Sequence, residues 1–293
     1  MMQSKLVHNI LILKHLYLVL CLLGLYSTSV NALVEYNPTQ LKAQQAKQYA
    51  QTLNQVATQV MGHYAALFSS QSSDKYPQNI NTIQIIKAQL ETDSGPPNQT
   101  TFTVTIQLGY LEDQITKFEK IKESFVFNLT KTSDIVDINR LYQHPLKSGN
   151  IAVEFNQLYY LNRQFAYAWL LLLDNLHPIN PSEFPHSYAT YHLTIGGNIF
   201  FGDVQKSLKK RKKWLGQGGH LLRSIDVKKT AKNVLQITLI IDWKGISSNH
   251  KWRIAKIKQI INIEPTKQGV YKIININEQH LLPDIAPWEK ILC

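Results

Sequence analysis

The chain has 293 residues, with 31 Lys and Arg against 20 Asp and Glu, a formal net charge of +11. Its two cysteines, Cys21 and Cys293, exclude a four-cysteine zinc site, a Cys-x-x-Cys redox pair and a core stapled by several disulfides. Roughly 260 residues beyond the amino-terminal segment are enough for two cores of ordinary size.

Residues 1–32 read as a secretory signal. Lys5 and Lys14 precede an apolar run, Leu16 to Leu25, and Ser27-Thr28-Ser29-Val30-Asn31-Ala32 offers small or short side chains before a cut after Ala32. The run is too short for a permanent span. Removal of Lys5 and Lys14 leaves the exported chain at +9 and with Cys293 as its one thiol. The expected location is therefore periplasmic or extracellular, with no transmembrane segment after cleavage.

Beyond the signal, Pro38 is followed by a long Gln- and Ala-rich stretch, Thr39 to Phe68, with apolar residues near helical spacing. A polar linker leads to three strand patterns, Thr82–Glu91, Thr101–Tyr110 and Lys117–Leu129, and a fourth, Ile135–Tyr142. A second helix is expected from Asn156 to about Leu176, apolar nearly all round. A short hairpin, Tyr188–Thr194 with Asn198–Phe201, and a short basic helix, Asp203–Trp214, come next. Gly216-Gln217-Gly218-Gly219 reads as a helix stop. Four further strands are expected at His220–Val227, Val234–Trp243, His250–Ile263 and Val270–Gln279.

The order helix then strands occurs twice. Residues 120–144 and 256–280 agree without a gap at nine of 25 positions, among them Lys120-Ile121-Lys122 with Lys256-Ile257-Lys258 and Gln143-His144 with Gln279-His280. The openings also match, Val34-Glu35-Tyr36-Asn37 with Val153-Glu154-Phe155-Asn156. This predicts a tandem duplication with a first α+β domain over 33–147 and a second over 150–286, the second carrying the hairpin and short helix as an insertion.

In the second unit the element order, with Gly197-Asn198-Ile199-Phe200-Phe201-Gly202-Asp203 and later Ile241-Asp242-Trp243-Lys244-Gly245, resembles the nuclear transport factor 2-like, or SnoaL-like, cone-shaped α+β superfamily. The resemblance implies an α+β fold of two tandem helix-then-antiparallel-sheet (cystatin-like/nuclear transport factor 2-like) domains. It also implies a conical pocket between sheet and helix, used in some relatives for proton-transfer catalysis and in others for ligand binding or dimerisation. On that basis Asp242 is the candidate catalytic base, with Tyr188, His192 and Trp243 shaping the pocket. Read from the residues alone, Asp242 is an ordinary strand-end aspartate that faces water or pairs with Lys244 or Lys251.

Six cations in eight residues, Lys206, Lys209, Lys210, Arg211, Lys212 and Lys213, form the sharpest local feature. They suit an anionic surface or an acidic envelope partner; a solvated helix face is the other reading. Nucleic acid does not fit an exported protein without spaced stacking aromatics. No His-Glu-x-x-His or Gly-x-Ser-x-Gly pattern occurs, and nothing implies a metal or a cofactor. The expected function is an exported, non-catalytic binding or scaffold protein. A lyase, isomerase or small apolar ligand carrier using the second unit's cavity is the alternative.

Overall fold

The computed structural model describes residues 33–35, 40–69, 75–91, 99–129, 134–147, 149, 154–174, 190–195, 198–203, 217–230, 234–246, 252–265 and 271–281. The predicted signal, Tyr188, the basic run and Cys293 lie outside them. In chain order the elements are β1 (Leu33–Glu35), α1 (Gln40–Leu67), β2 (Ile80–Glu91), β3 (Gln99–Glu112), β4 (Ile115–Asn128), β5 (Asp134–Leu146), α2 (Gln157–Asp174), β6 (Thr190–Ile195), β7 (Asn198–Asp203), β8 (Gln217–Lys229), β9 (Leu235–Ile246), β10 (Trp252–Pro265) and β11 (Tyr271–Leu281).

The first sheet is the antiparallel meander β2-β3-β4-β5, and the second has the order β7-β6-β11-β10-β9-β8. Strand alternation decides which faces are buried. In β9, Leu235, Ile237, Leu239, Ile241 and Trp243 point into the second core. In β4, Ile121, Phe125 and Phe127 point into the first. The strands β8 to β11 begin 136 or 137 residues after β2 to β5, element by element.

One stripe of α1 serves both sheets. Positions 46, 50, 53, 57, 60, 64 and 67 recur at the three- and four-residue spacing of one helix face. Its amino-terminal part, Ala46, Ala50 and Leu53, packs on Leu221 of β8. Its carboxy-terminal part, Val60, Tyr64 and Leu67, enters the first core. Twenty-eight helical residues span about 42 Å at 1.5 Å per residue, long enough for both contacts.

Helix α2 crosses over in the same way. Asn156 caps it by accepting the Leu158 amide at 3.0 Å. Tyr160 then enters the first core and donates to the Ile83 carbonyl, whereas Phe165, Trp169 and Leu172 enter the second.

The expected pair of successive helix-then-antiparallel-sheet (cystatin-like/nuclear transport factor 2-like) domains is thereby corrected. The chain is mixed α+β and strand-rich, but its helices are shared. Strand β1 precedes α1 and joins the second sheet, with Leu33 opposite Ala255. That sheet is not wholly antiparallel either, because β6 runs parallel to β11 from Thr190 opposite Asn275 to Thr194 opposite Gln279. Helical periodicity shows which face of a helix is apolar. It does not show which sheet that face covers.

The two sheets also finish the same edge differently. β11 is covered by β6. β5 ends its sheet, with Val136 and Leu141 left as bulged residues. The Ile138 amide donates to Asp137 Oδ1 at 2.8 Å, and Lys75 Nζ donates to the Ile138 carbonyl at 3.3 Å. Bulges and local side-chain caps of this kind blunt an edge against further pairing.

Candidate functional site

Glu123 occupies a core-facing position of β4 between Ile121 and Phe125, with 1 % of its side chain exposed. A carboxylate buried there is costly unless donors surround it. Three do. Tyr64 of α1 donates to Oε2 at 3.1 Å, and Tyr76 donates to Oε1 at 2.5 Å. Arg140, opposite Glu123 on β5, brings Nη2 to 3.5 Å of Oε1.

The cluster continues toward the surface through His63, whose Nε2 lies 3.1 Å from Tyr76 Oη. Since Tyr76 gives its proton to Glu123, this geometry has His63 donating to the phenol oxygen. Burial, and then the Lys75 charge, lower the His63 pKa to about 4, so the ring is neutral at pH 7. Burial and Glu123 raise both phenols above their ordinary range, which keeps them protonated donors.

Arg140 lies with Cζ 4.8 Å above the Tyr76 ring and donates through Nη1 to Gln143 Oε1 at 2.7 Å. Its Nε is buried without a hydrogen-bond partner, and Nη2 is buried beside Glu123 Oε1. The exposure rises from 1 % for the Glu123 side chain to 23 % for that of Arg140.

The second sheet holds a deeper polar cluster. Trp169 Nε1 donates to Gln259 Oε1 at 2.7 Å, Gln259 Nε2 to Glu278 Oε2 at 2.5 Å, and His280 Nε2 lies 2.9 Å from Glu278 Oε1. The Glu278 and His280 side chains are fully buried. His144, its sequence counterpart, is exposed and stacks on Tyr142 at 5.2 Å. The two histidines thus do different things.

Asp242 is 6 % exposed and lies on the face opposite the second core, where α1 packs. Arg223 Nε donates to its Oδ2 at 2.6 Å, and Nη2 contacts the same atom. Trp243, the next residue, is in the core on the other face. Strand alternation therefore separates the two. His192 sits on β6 opposite Asn277, three strands away from β9. Tyr188 and the six basic residues 206–213 fall outside the described residues. Among those residues no group of three or more His, Cys, Asp and Glu could hold a metal ion.

Within the Gly216-Gln217-Gly218-Gly219 run, Gly218 and Gly219 have a packing role that the sequence did not reveal. Gln217 to Gly219 open β8. A Cβ on Gly218 would fall inside the Trp243 indole, and one on Gly219 would lie 3.1 Å from the Lys47 carbonyl of α1. Beside them, His220 pairs through Nδ1 with Asp174 at the end of α2, and its carbonyl accepts from Asn54 of α1 at 2.7 Å.

Sequence reasoning passed over Glu123, Tyr76 and Arg140. The available signal was a carboxylate at an inward position of an alternating strand, Ile121-x-Glu123-x-Phe125-x-Phe127.

No family model and no curated protein sequence matches the chain. Solved structures do. One, from Novosphingobium aromaticivorans and provisionally named an aromatic ring hydroxylase, has 14 % identity and a TM-score of 0.33, covering 41 % of this chain and 87 % of its own. Another, an uncharacterised protein with a cystatin-like fold from Caulobacter vibrioides, has 13 % identity and a TM-score of 0.33, covering 41 % and 86 %. Likeness at this level says nothing of this chain's activity.

Proposed function

We propose that the chain is an exported binding protein without catalytic activity, and that the Glu123 cluster is where it binds. One observation carries the reading. The buried carboxylate accepts from Tyr64 and Tyr76 and is ion-paired with Arg140, whose Nε is buried without a hydrogen-bond partner. A general base must offer a lone pair to the proton it removes. Glu123 already accepts from two phenols beside a guanidinium, and Arg223 engages Asp242 through Oδ2, so both carboxylates are held in structural contacts. A partly exposed guanidinium backed by a buried carboxylate suits recognition of an acceptor group.

Export follows from the amino-terminal 32 residues, and the partner is an envelope protein, an anionic surface or a small molecule. Common ancestry of the two four-strand meanders is part of the same proposal, supported by the constant spacing of their strands. The lyase or isomerase alternative gains nothing from the placement of Asp242.

Immobilised exported chain, challenged with native envelope extract and screened by thermal shift against small acids, amines and polycyclic compounds, tests the reading. Retention of a partner or a saturable rise in melting temperature supports it. Failure of both, with inert monomeric behaviour, removes it.

A further inference from the structure

Strand alternation puts Lys120 and Lys122 of β4 on the face of the first sheet opposite Glu123, away from the core. Register sets Lys122 beside Thr105 of β3, and Thr105 beside Lys87 of β2. On the other side Lys122 adjoins Tyr142 and Lys120 adjoins His144, both of β5. Strand geometry spaces Lys120 from Lys122 by about 7 Å and Lys87 from Lys122 by about 10 Å. Lys87 and His144 are exposed, and Lys120, Lys122 and Tyr142 are half-buried.

Among the described residues none of these three lysines makes an ion pair. Glu119 and Glu123 belong to the core side of β4. Glu91 and Asp137 stand at the far end of the outer face, where Thr103 Oγ1 donates to Glu91 at 3.0 Å and the Ile138 amide to Asp137 at 2.8 Å. The second sheet repeats Lys-Ile-Lys at 256–258 but sets Asp242 opposite Lys256, whereas the first sets Gln107 opposite Lys120. An acid at that position of one sheet is an amide in the other.

We propose that this outer face binds an acidic polysaccharide, with its anionic groups on Lys87, Lys120 and Lys122 and a sugar ring on the Tyr142–His144 pair. The inference goes beyond the Glu123 reading and does not depend on it. Charge complementarity requires an anion with several separated charges. Thr105 and Gln107 between the lysines offer a hydroxyl and an amide to sugar hydroxyls. The Tyr142 and His144 rings stack with centroids 5.2 Å apart and planes 27° apart, a flat apolar border to the charged area. A lipid surface would call for protruding apolar side chains among the cations, where Thr105 and Gln107 stand instead. A nucleic-acid strand would call for successive rings along its path, and this face has one stacked pair at its edge.

The probe is a galacturonic acid hexamer, titrated calorimetrically into the purified chain beside neutral maltohexaose, hexathymidylate and phosphatidylglycerol vesicles. The acidic hexamer is expected to bind saturably, and maltohexaose about tenfold more weakly or less. Lys87→Gln, Lys120→Gln and Lys122→Gln together are expected to cost about tenfold, the worth of three exposed ion pairs. The same charge removed by Lys209→Gln, Lys210→Gln and Lys212→Gln should cost less than about twofold, which separates this face from a general attraction to a basic chain. Tyr142→Ala, which removes no charge, is expected to weaken the acidic hexamer about threefold with the melting transition retained. Absence of saturable binding overturns the proposal. So do equal losses from the two lysine sets, equal affinity for maltohexaose, unchanged affinity in Tyr142→Ala, or tighter binding of hexathymidylate or the vesicles.

Discussion

Gln259 accepts the indole N–H of Trp169 at 2.7 Å, at the place in the second sheet that Glu123 holds in the first, where it accepts the Tyr64 phenol at 3.1 Å. In both sheets an aromatic ring from a helix is fixed to a buried polar side chain of the third meander strand. The partner across the sheet differs. Glu123 stands opposite Arg140, whereas Gln259 stands opposite Glu278. One cluster is thereby completed by a partly exposed cation, the other by a carboxylate and His280 within the core.

Gln259→Leu separates Trp169 from Glu278 and leaves a buried N–H and a buried carboxylate each short of a donor–acceptor partner. Losses of this type cost about 2–4 kcal/mol. Urea denaturation should show a lower midpoint with an unchanged slope. An unchanged midpoint would mean that the amide contributes nothing.

His63 gives the chain a pH dependence. Its pKa is lowered from 6.5 to about 4 in the folded state. Between these values the unfolded chain binds a proton that the folded chain does not, so stability falls as pH drops from about 6.5 toward 4 and is fully present above 6.5. The span amounts to about 3 kcal/mol at most. His63→Gln should flatten the wild-type curve over this window when unfolding free energies are compared at each pH. Parallel curves for the two proteins would show that His63 is not depressed.

The two adjacent glycines should respond differently. Gly218→Ala drives a methyl into the Trp243 indole at the core, an overpacking cost of about 1–3 kcal/mol or more. Gly219→Ala meets Ala50 Cβ at 3.3 Å and the Lys47 carbonyl at 3.1 Å, where α1 can shift by tenths of an ångström. Melting temperatures should fall clearly for the first and by less for the second. The reverse order would misplace Trp243.

Asp242→Asn tests the outer face of the second sheet. The ion pair with Arg223 is partly exposed, 19 % on the arginine side, so its loss should cost about 1–2 kcal/mol rather than the larger penalty of a fully buried pair. Arg223→Gln should cost a similar amount, and the double variant little more than either single one. Additive losses in that cycle would rule out the pairing.

Much of the local structure was legible from the amino acids. The long helix, the hairpin and all eight meander strands fall within a few residues of where hydrophobic period, Pro38 and turn residues put them. These signals are written in neighbouring residues. The sharing of α1 between two sheets, the parallel docking of β6 on β11 and the placement of Asp242 and Trp243 on opposite faces of one strand relative to two different helices were settled only by packing. Period and propensity act over a few residues, whereas the partner of an apolar face is chosen among all the surfaces the folded chain brings near. For the same reason Glu123 showed in the sequence as an odd carboxylate on an inward face, and only the tertiary structure supplied Tyr64, Tyr76 and Arg140, from up to 59 residues away, to explain it.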